Sequence, residues 1–368
     1  MGNHGKGTPT DSLEGIMNSV TEQKVIHLKP LELLDFTAKM VQNRLPFMVT
    51  GAPGVGKTEI ITEGTALAGA DFLISHPAIE DPTVPGGFPW PDPNGKEARF
   101  LPFGILAQAI RATKPTAWLL DDFGQANPSV QAAYMQLIRS GRVGEHVLPN
   151  YVTFILATNR RTDRAGVTGV LEPVKGRMAS IVELQTSIDD WCQWAFAHGI
   201  PATLVAFLRF KPSLLSAFMP TADLTNSPTP RTWASLAALE KLGFARSVEH
   251  AAFAGAVGQA AADEYLVFRQ LFKSMVNLDS ILADPDHAPI PTKLDELYAT
   301  SVGLASRANE TNFNRIATYA TRLAVEANRG EFAVLLARDS ERNNKKVVYT
   351  DAYVKLHSGP IGKLFSGN

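Results

Sequence analysis

The spacing of apolar positions changes along this chain. Through the first half, short apolar runs alternate with longer stretches whose apolar residues recur every three or four positions. The short runs are residues 46–50, 71–75, 117–121, 152–157 and 180–184, and helical spacing falls between them, as at 30–43 and 59–70. This alternation predicts a parallel five-stranded sheet with helices on both faces. After residue 186 the short runs stop. Helical spacing then dominates at 191–198, 202–210, 231–241 and 248–273. A Pro- and Asp-rich break at 283–291 precedes further helical spacing at 294–308 and 311–326, and the Lys-, Arg- and Asn-rich stretch 338–346 reads as a turn. Ser187, followed by Asp189 and Asp190, is an N-cap with acids in the first helical turn.

Four segments are expected: a polar tail at 1–23 with a short helix at 12–20, an α/β domain at 24–186, a helical lid at 187–274 and a mostly helical extension at 275–368. One stretch interrupts the α/β pattern. Residues 77–95 hold Pro77, Pro82, Pro85, Pro89, Pro91, Pro93 and the pair Gly86-Gly87, with Asn94-Gly95 as a hairpin turn between 88–91 and 97–101. Phe88, Trp90 and Phe100 gather there. Two readings stay open: an element protruding toward a substrate or a neighbouring subunit, or a loop folded over the sheet.

Composition narrows the class. With 368 residues and 45% hydrophobic positions the chain can bury a large core. A net charge of -1 gives no overall basic field for nucleic acid, so that partner is not favoured. The single cysteine, Cys192, excludes an intramolecular disulfide and suits a reducing, cytoplasmic setting. The histidines lack the spacing of zinc ligands. No apolar run approaches the ~20 residues of a membrane span.

The chemistry concentrates after the first strand. Gly51, Ala52, Pro53, Gly54, Val55, Gly56, Lys57 and Thr58 fit the phosphate-loop pattern G-x-x-x-x-G-K-[ST] at every fixed position, between an apolar run and a helical stretch. Such a loop wraps a phosphate in backbone N–H groups at a helix N-terminus. Lys57 would reach the β/γ-phosphates and Thr58 would ligate Mg2+. Asp121 ends a later apolar run, where it would also hold Mg2+. Asp122 is placed to orient and deprotonate an attacking water. Asn159, closing the 152–157 run, would sit near the γ-phosphate, although an Asx turn is the plainer role for such a residue. Together these predict a P-loop NTPase core with three αβα layers, using ATP and Mg2+. Asp121-Asp122-Phe123-Gly124 fits D-x-x-G and Thr292-Lys293-Leu294-Asp295 imitates a guanine-reading motif, but no strand leads into the second and it lies far from the loop, so ATP is favoured over GTP.

The order of residues 51–58, Leu120-Asp121-Asp122, Ala157-Thr158-Asn159 and Leu171-Glu172-Pro173-Val174-Lys175-Gly176-Arg177-Met178 resembles AAA+ ATPases. More narrowly, it is similar to the MoxR-like group with an insertion in the second helix. The match covers mainly residues 25–186. The resemblance implies ATP hydrolysis in a ring, usually a hexamer, with sites shared between subunits. It also implies remodelling of a client, often one with a von Willebrand factor A domain. Arg177 falls where the family has a finger reaching the neighbour's site, with Arg160, Arg161 and Arg164 as competitors. Arg231, in Pro228-Thr229-Pro230-Arg231, matches a sensor of the γ-phosphate in the same subunit, the alternative being an ordinary surface helix residue. The hairpin region matches the inserted element. The family usually has Asp-Glu where this chain has Asp121-Asp122, one methylene shorter. That departure keeps open an assembly switch with slow hydrolysis, beside the other alternative of a nucleic-acid motor or loader.

Overall fold

A computed structural model describes residues 26–143, 146–163, 166–221, 223–275, 277–359 and 361–365. The expected tail at 1–23, with its helix, lies outside the described residues.

Six parallel strands form the main sheet: β1 (His27–Leu28), β2 (Phe47–Gly51), β3 (Asp71–Ser75), β6 (Thr116–Leu120), β9 (Val152–Asn159) and β10 (Ser180–Leu184), in the order β1-β10-β2-β9-β6-β3. The expectation of five strands is corrected by β1, which pairs His27 with Glu183 and Leu28 with Leu184 at the sheet edge. A two-residue strand is too short to show a period of two.

Alternate side chains of the strands leave the sheet on opposite faces. Phe47, Val49, Ala117, Leu119, Ile155, Ala157 and Val182 pack with Leu33 and Val41 of α1 (Pro30–Gln42) and Ile61 of α2 (Lys57–Leu67). On the other face Met48, Trp118, Leu120, Phe154 and Leu156 meet Leu106 of α4 (Gly104–Ile110) and Val130, Tyr134 and Leu137 of α5 (Pro128–Ser140). Burial of each of the larger of these side chains contributes about 1.5–3 kcal/mol, which makes this three-layer αβα arrangement the stable partition of the sequence.

Between β3 and β6 lie a single turn, α3 (Thr83–Gly86), and an antiparallel hairpin of β4 (Phe88–Pro91) and β5 (Ala98–Leu101). Gly95 N donates to Asp92 O at 2.7 Å in its turn. Phe88, Trp90, Phe100 and Leu101 are all exposed, so the loop does not fold its aromatics under the sheet. A smaller hairpin, β7 (Arg142–Val143) with β8 (His146–Val147), approaches it, and His146 Nε2 lies 2.5 Å from Phe100 O.

A short helix, α6 (Glu172–Lys175), precedes β10. After β10 the chain is helical: α7 (Ile188–Ala197), α8 (Ala202–Phe210), α9 (Pro230–Glu240), α10 (Arg246–Val257), α11 (Gln259–Met275), α12 (Leu278–Ala283), α13 (Leu294–Ser306), α14 (Phe313–Val325), α15 (Gly330–Asn343), α16 (Asp351–Ser358) and α17 (Gly362–Phe365). The single helix expected over 248–273 is two, because Gly258 at φ +85° breaks the ladder between α10 and α11. The turn expected at 338–346 is corrected as well, since α15 runs through Asn343 and buries Leu336, Ala337, Asp339 and Ser340. Two apolar cores hold these helices. One gathers α7 to α11 around Phe207, Trp233 and Tyr265, and α13 adds Ala299 and Val302 to it. The other unites α12 to α16 around Phe313, Tyr319 and Leu336. Among the described residues no helix is long and apolar enough to cross a membrane.

Candidate functional site

The loop after β2 turns sharply into α2. Gly54 sits at φ +73°, and a Cβ there would meet Thr229 Oγ1 at 2.7 Å, so position 54 needs glycine for its backbone and for its neighbour. Gly56 caps α2 without a side chain, which leaves the first N–H groups of the helix turned to the loop, where an anion is favoured.

Lys57 opens α2 and is buried. Its Nζ donates to Gly51 O at 3.0 Å, Ala52 O at 3.1 Å and Asn159 Oδ1 at 2.8 Å. Burial brings its pKa down from 10.5 to about 8, against the opposing pull of Asp121 and Asp122. Sheet register explains how Asn159 arrives there, because β9 lies beside β2 with Asn159 opposite Gly51.

Thr58 Oγ1 donates to Asp121 Oδ2 at 2.8 Å, bringing together a hydroxyl and a carboxylate from positions far apart in sequence. Two hard oxygen donors of this kind suit Mg2+, which is held by one or two protein oxygens plus phosphates and waters. Among the described residues no cluster of three or more His, Cys, Asp or Glu could hold a metal ion, so a protein-only cage is absent there.

Asp122 takes the left-handed conformation, φ 53° and ψ 32°, which aspartate tolerates better than most residues. Its N–H donates to Asp121 Oδ1 at 3.0 Å, and Asn159 Nδ2 reaches its Oδ1 at 3.4 Å. Burial and then the charge of Asp121 raise its pKa above the ordinary carboxylate value, while Lys57, His76 and Arg231 oppose the rise. Four expected residues, Lys57, Asp121, Asp122 and Asn159, are thus brought together, and Thr58 joins them.

The helical region after β10 reaches the same loop. Thr229 caps α9 by accepting from Thr232 N at 3.2 Å, Thr232 Oγ1 accepts from Thr229 N at 2.8 Å, and Pro230 fills the first helical position. That helix end sits on the phosphate loop, with Arg231 N donating to Gly54 O at 3.1 Å. The Arg231 guanidinium lies 3.9 Å from Glu59 and is largely exposed. Beside it a cavity of about 380 Å³ opens between α1, α2, α7 and α9, with Leu31, Ile60, Trp191 and Trp194 among its apolar lining and Val55, Gly56 and Arg231 on its border. Its size and lining suit a planar base.

Arg177 is not brought to these residues within the chain. Its Nη1 donates to Pro173 O in α6, and its Nε is buried without a hydrogen-bond partner. Among its competitors, Arg160 is held by Asp163 at 2.9 Å and Glu183 at 3.3 Å, and Arg164 lies outside the described residues. Lys293 and Asp295 sit at the start of α13, where Asp295 accepts from Glu296 N.

The motifs give three contributors no role at the site, although Gly124 closes a D-x-x-G match. Thr229 packs on Gly54. His76 follows β3 beside Asp122. Gly124 lies so close to Thr158 that a Cβ would meet Oγ1 at 2.3 Å. Only tertiary approach reveals them.

No protein-family model matches the chain, and no curated protein matches it. Among solved structures, the Thermotoga maritima RuvB Holliday junction branch migration motor is 13% identical, covering 75% of this chain and 80% of that one, with a TM-score of 0.39. Brucella abortus NtrX in complex with ATP is 13% identical, covering 97% of this chain and 71% of that one, with a TM-score of 0.40. At these values neither likeness bears on function, which rests on the geometry of the chain's own site.

Proposed function

We propose that this chain is an ATP-binding and ATP-hydrolysing protein of the AAA+ type. The observation that carries this is the convergence of Lys57, Asn159, Asp121 and Thr58 at the N-terminus of α2. In this reading the backbone of residues 51–58 wraps the phosphates, Lys57 neutralises them, and the base enters the cavity beside Trp194. Thr58 and Asp121 hold Mg2+, which supplies charge neutralisation on the phosphates when bound. Asp122 takes the proton of the attacking water and Asn159 orients that water. Arg231 faces the γ-phosphate from the lid. Arg177 enters the site of the next subunit in a ring, where its guanidinium stabilises transition-state charge.

The finer assignment rests on the family resemblance: a MoxR-like cytoplasmic hexamer, divided near residues 186 and 274, that remodels a client protein, one with a von Willebrand factor A domain being the kind the resemblance suggests. The exposed aromatics of β4 and β5 are the surface such a client would meet. One observation favours a slower machine. Asp122 is one methylene short of glutamate, so an ATP-dependent assembly switch is the second reading. ATP binding, phosphate release and particle mass measured together on the full chain test both. Binding with multiple turnovers in a ring supports the first reading, binding and assembly with negligible release supports the second, and absence of binding overturns both.

A further inference from the structure

The first turn of α7 stands between the nucleotide cavity and the C-terminal helices. Asp190 lines the cavity and accepts from Leu31 N at 3.1 Å, at the start of α1. Its neighbour Asp189 faces away, accepting from Arg209 Nη1 of α8 at 3.0 Å and Arg342 Nη1 of α15 at 3.3 Å. Both arginines also reach one oxygen of Asp339 in α15: Arg209 Nη2 at 2.6 Å and Arg342 Nη1 at 2.9 Å. Asp339 is fully buried and Arg209 is 7% exposed. Trp191 and Trp194, on the same short helix, line the cavity.

A buried ion pair is a weak source of stability, because desolvating both charges offsets their attraction. This one is also incompletely satisfied. Arg209 Nε and Asp339 Oδ2 are buried without partners, each a further cost. Net stability is therefore a poor account of it. What the cluster does achieve is geometric. It joins positions 130 residues apart and fixes the angle of α15 to α7 and α8 with directional, charge-assisted bonds. Apolar packing of α13 against both α8 and α15 joins the same helices without directional bonds.

Resting on the nucleotide assignment above, we propose that the C-terminal helices are the output of the nucleotide site, driven through the Asp189–Arg209–Asp339–Arg342 pin. When a base fills the cavity against Trp191 and Trp194, α7 shifts, and the pin carries that shift into α15. The client-facing or subunit-facing consequence of ATP then appears in the last third of the chain as well as at the β4–β5 hairpin.

Hydrogen–deuterium exchange on the full chain, with and without ATPγS, tests this. In the wild type, nucleotide should slow exchange in both Ile188–Ala197 and Gly330–Asn343 by about tenfold. Arg209→Met with Asp339→Leu removes both buried charges without leaving either orphaned. In that double variant 188–197 should still respond while 330–343 no longer does. Arg342→Gln, at a partly exposed position, leaves the buried Arg209–Asp339 pair in place and should reduce the response in 330–343 by about half. A wild type in which only 188–197 responds overturns the proposal, as does a double variant in which 330–343 still responds. Fluorescent-nucleotide binding on the same samples separates the two failures: no binding removes the ATP assignment and with it the input to the pin.

Discussion

Lys57 Nζ donates to Asn159 Oδ1 at 2.8 Å, and the amide nitrogen of the same asparagine reaches Asp122 Oδ1 at 3.4 Å. One side chain thus links the cation that meets phosphate to the carboxylate that meets water. An arriving γ-phosphate competes for Lys57 and frees Asn159 for the water. Asn159→Ala should lower kcat by about 10²-fold, the scale of a lost transition-state donor, while ATP affinity changes less than about threefold. Lys57→Ala should behave oppositely, weakening ATP by about 2 kcal/mol or more, near thirtyfold. Equilibrium binding and steady-state turnover on the two variants check the split, and equal loss of affinity in both would refute it.

The depressed pKa of Lys57 gives a pH dependence with a definite sign. In the nucleotide-free chain it titrates at about 8, and a bound phosphate raises it again. Below pH 8 the lysine is charged in both states and its contribution to affinity is flat. Above pH 8 binding must also take up a proton, so affinity falls by up to about tenfold per pH unit. The stability of the nucleotide-free chain moves the other way. The folded state holds fewer protons than the unfolded one between about 8 and 10.5, so stability from this group rises with pH across that window, and the burial penalty is fully present below it. Titrating ATP without added metal from pH 6.5 to 9.5 checks the first half, and urea unfolding over the same range checks the second. Affinity unchanged to pH 9.5 would contradict the assignment.

Asp122 and Arg177 fall on different sides of the proposed shared site. Asp122 sits beside Lys57 in its own chain, whereas the Arg177 guanidinium donates to Pro173 O in α6. Asp122→Asn should reduce turnover by about 10²–10⁴-fold, and Arg177→Ala by about 10³–10⁵-fold, with ATP binding kept in both. Mixing the two variants rebuilds some interfaces that have both wild-type residues, and activity should return there. Phosphate release from mixtures across all ratios is the readout. Mixtures no more active than either parent would place Arg177 outside the shared site.

Local pattern revealed the strands and the phosphate loop because each is written within a few consecutive residues. Asp121 and Asn159 are readable for the same reason, each closing an apolar run; sheet register sets Asn159 opposite Gly51, and Asp121 meets the loop through Thr58. What escaped depends on distant approach. β1 is two residues long and exists only because β10 offers an edge. The helical pattern of 248–273 runs unbroken through Gly258, whose positive φ is fixed by the fold. The charges at 338–346 suggested a turn, yet Asp339 is buried because Arg209, far away in sequence, neutralises it.

Gly124 makes the last such approach testable. It follows Asp122 in the turn after β6, and Thr168 N and Gly169 N both donate to its carbonyl, at 3.0 and 3.3 Å. Its φ is not positive, so backbone strain plays no part. The constraint is contact: an added Cβ meets Thr158 Oγ1 at 2.3 Å and Cβ at 3.3 Å. Gly124→Ala must therefore push Asp122 away from Thr158 and Asn159, destabilising the fold by about 1–3 kcal/mol and lowering turnover with it. Thr158→Ala alone removes a hydroxyl bonded to Asn159 O at 3.2 Å and should cost only about 1 kcal/mol. In the double variant the missing hydroxyl removes the 2.3 Å clash, leaving Val167 Cγ1 at 3.1 Å and the residue-158 Cβ at 3.3 Å to give by a few tenths of an ångström. The two substitutions should then couple favourably by at least about 1 kcal/mol in a denaturant double-mutant cycle, with part of the turnover restored. Simple additivity would mean that the turn relaxes without touching Thr158, and the close packing of Gly124 would lose its role in placing Asp122.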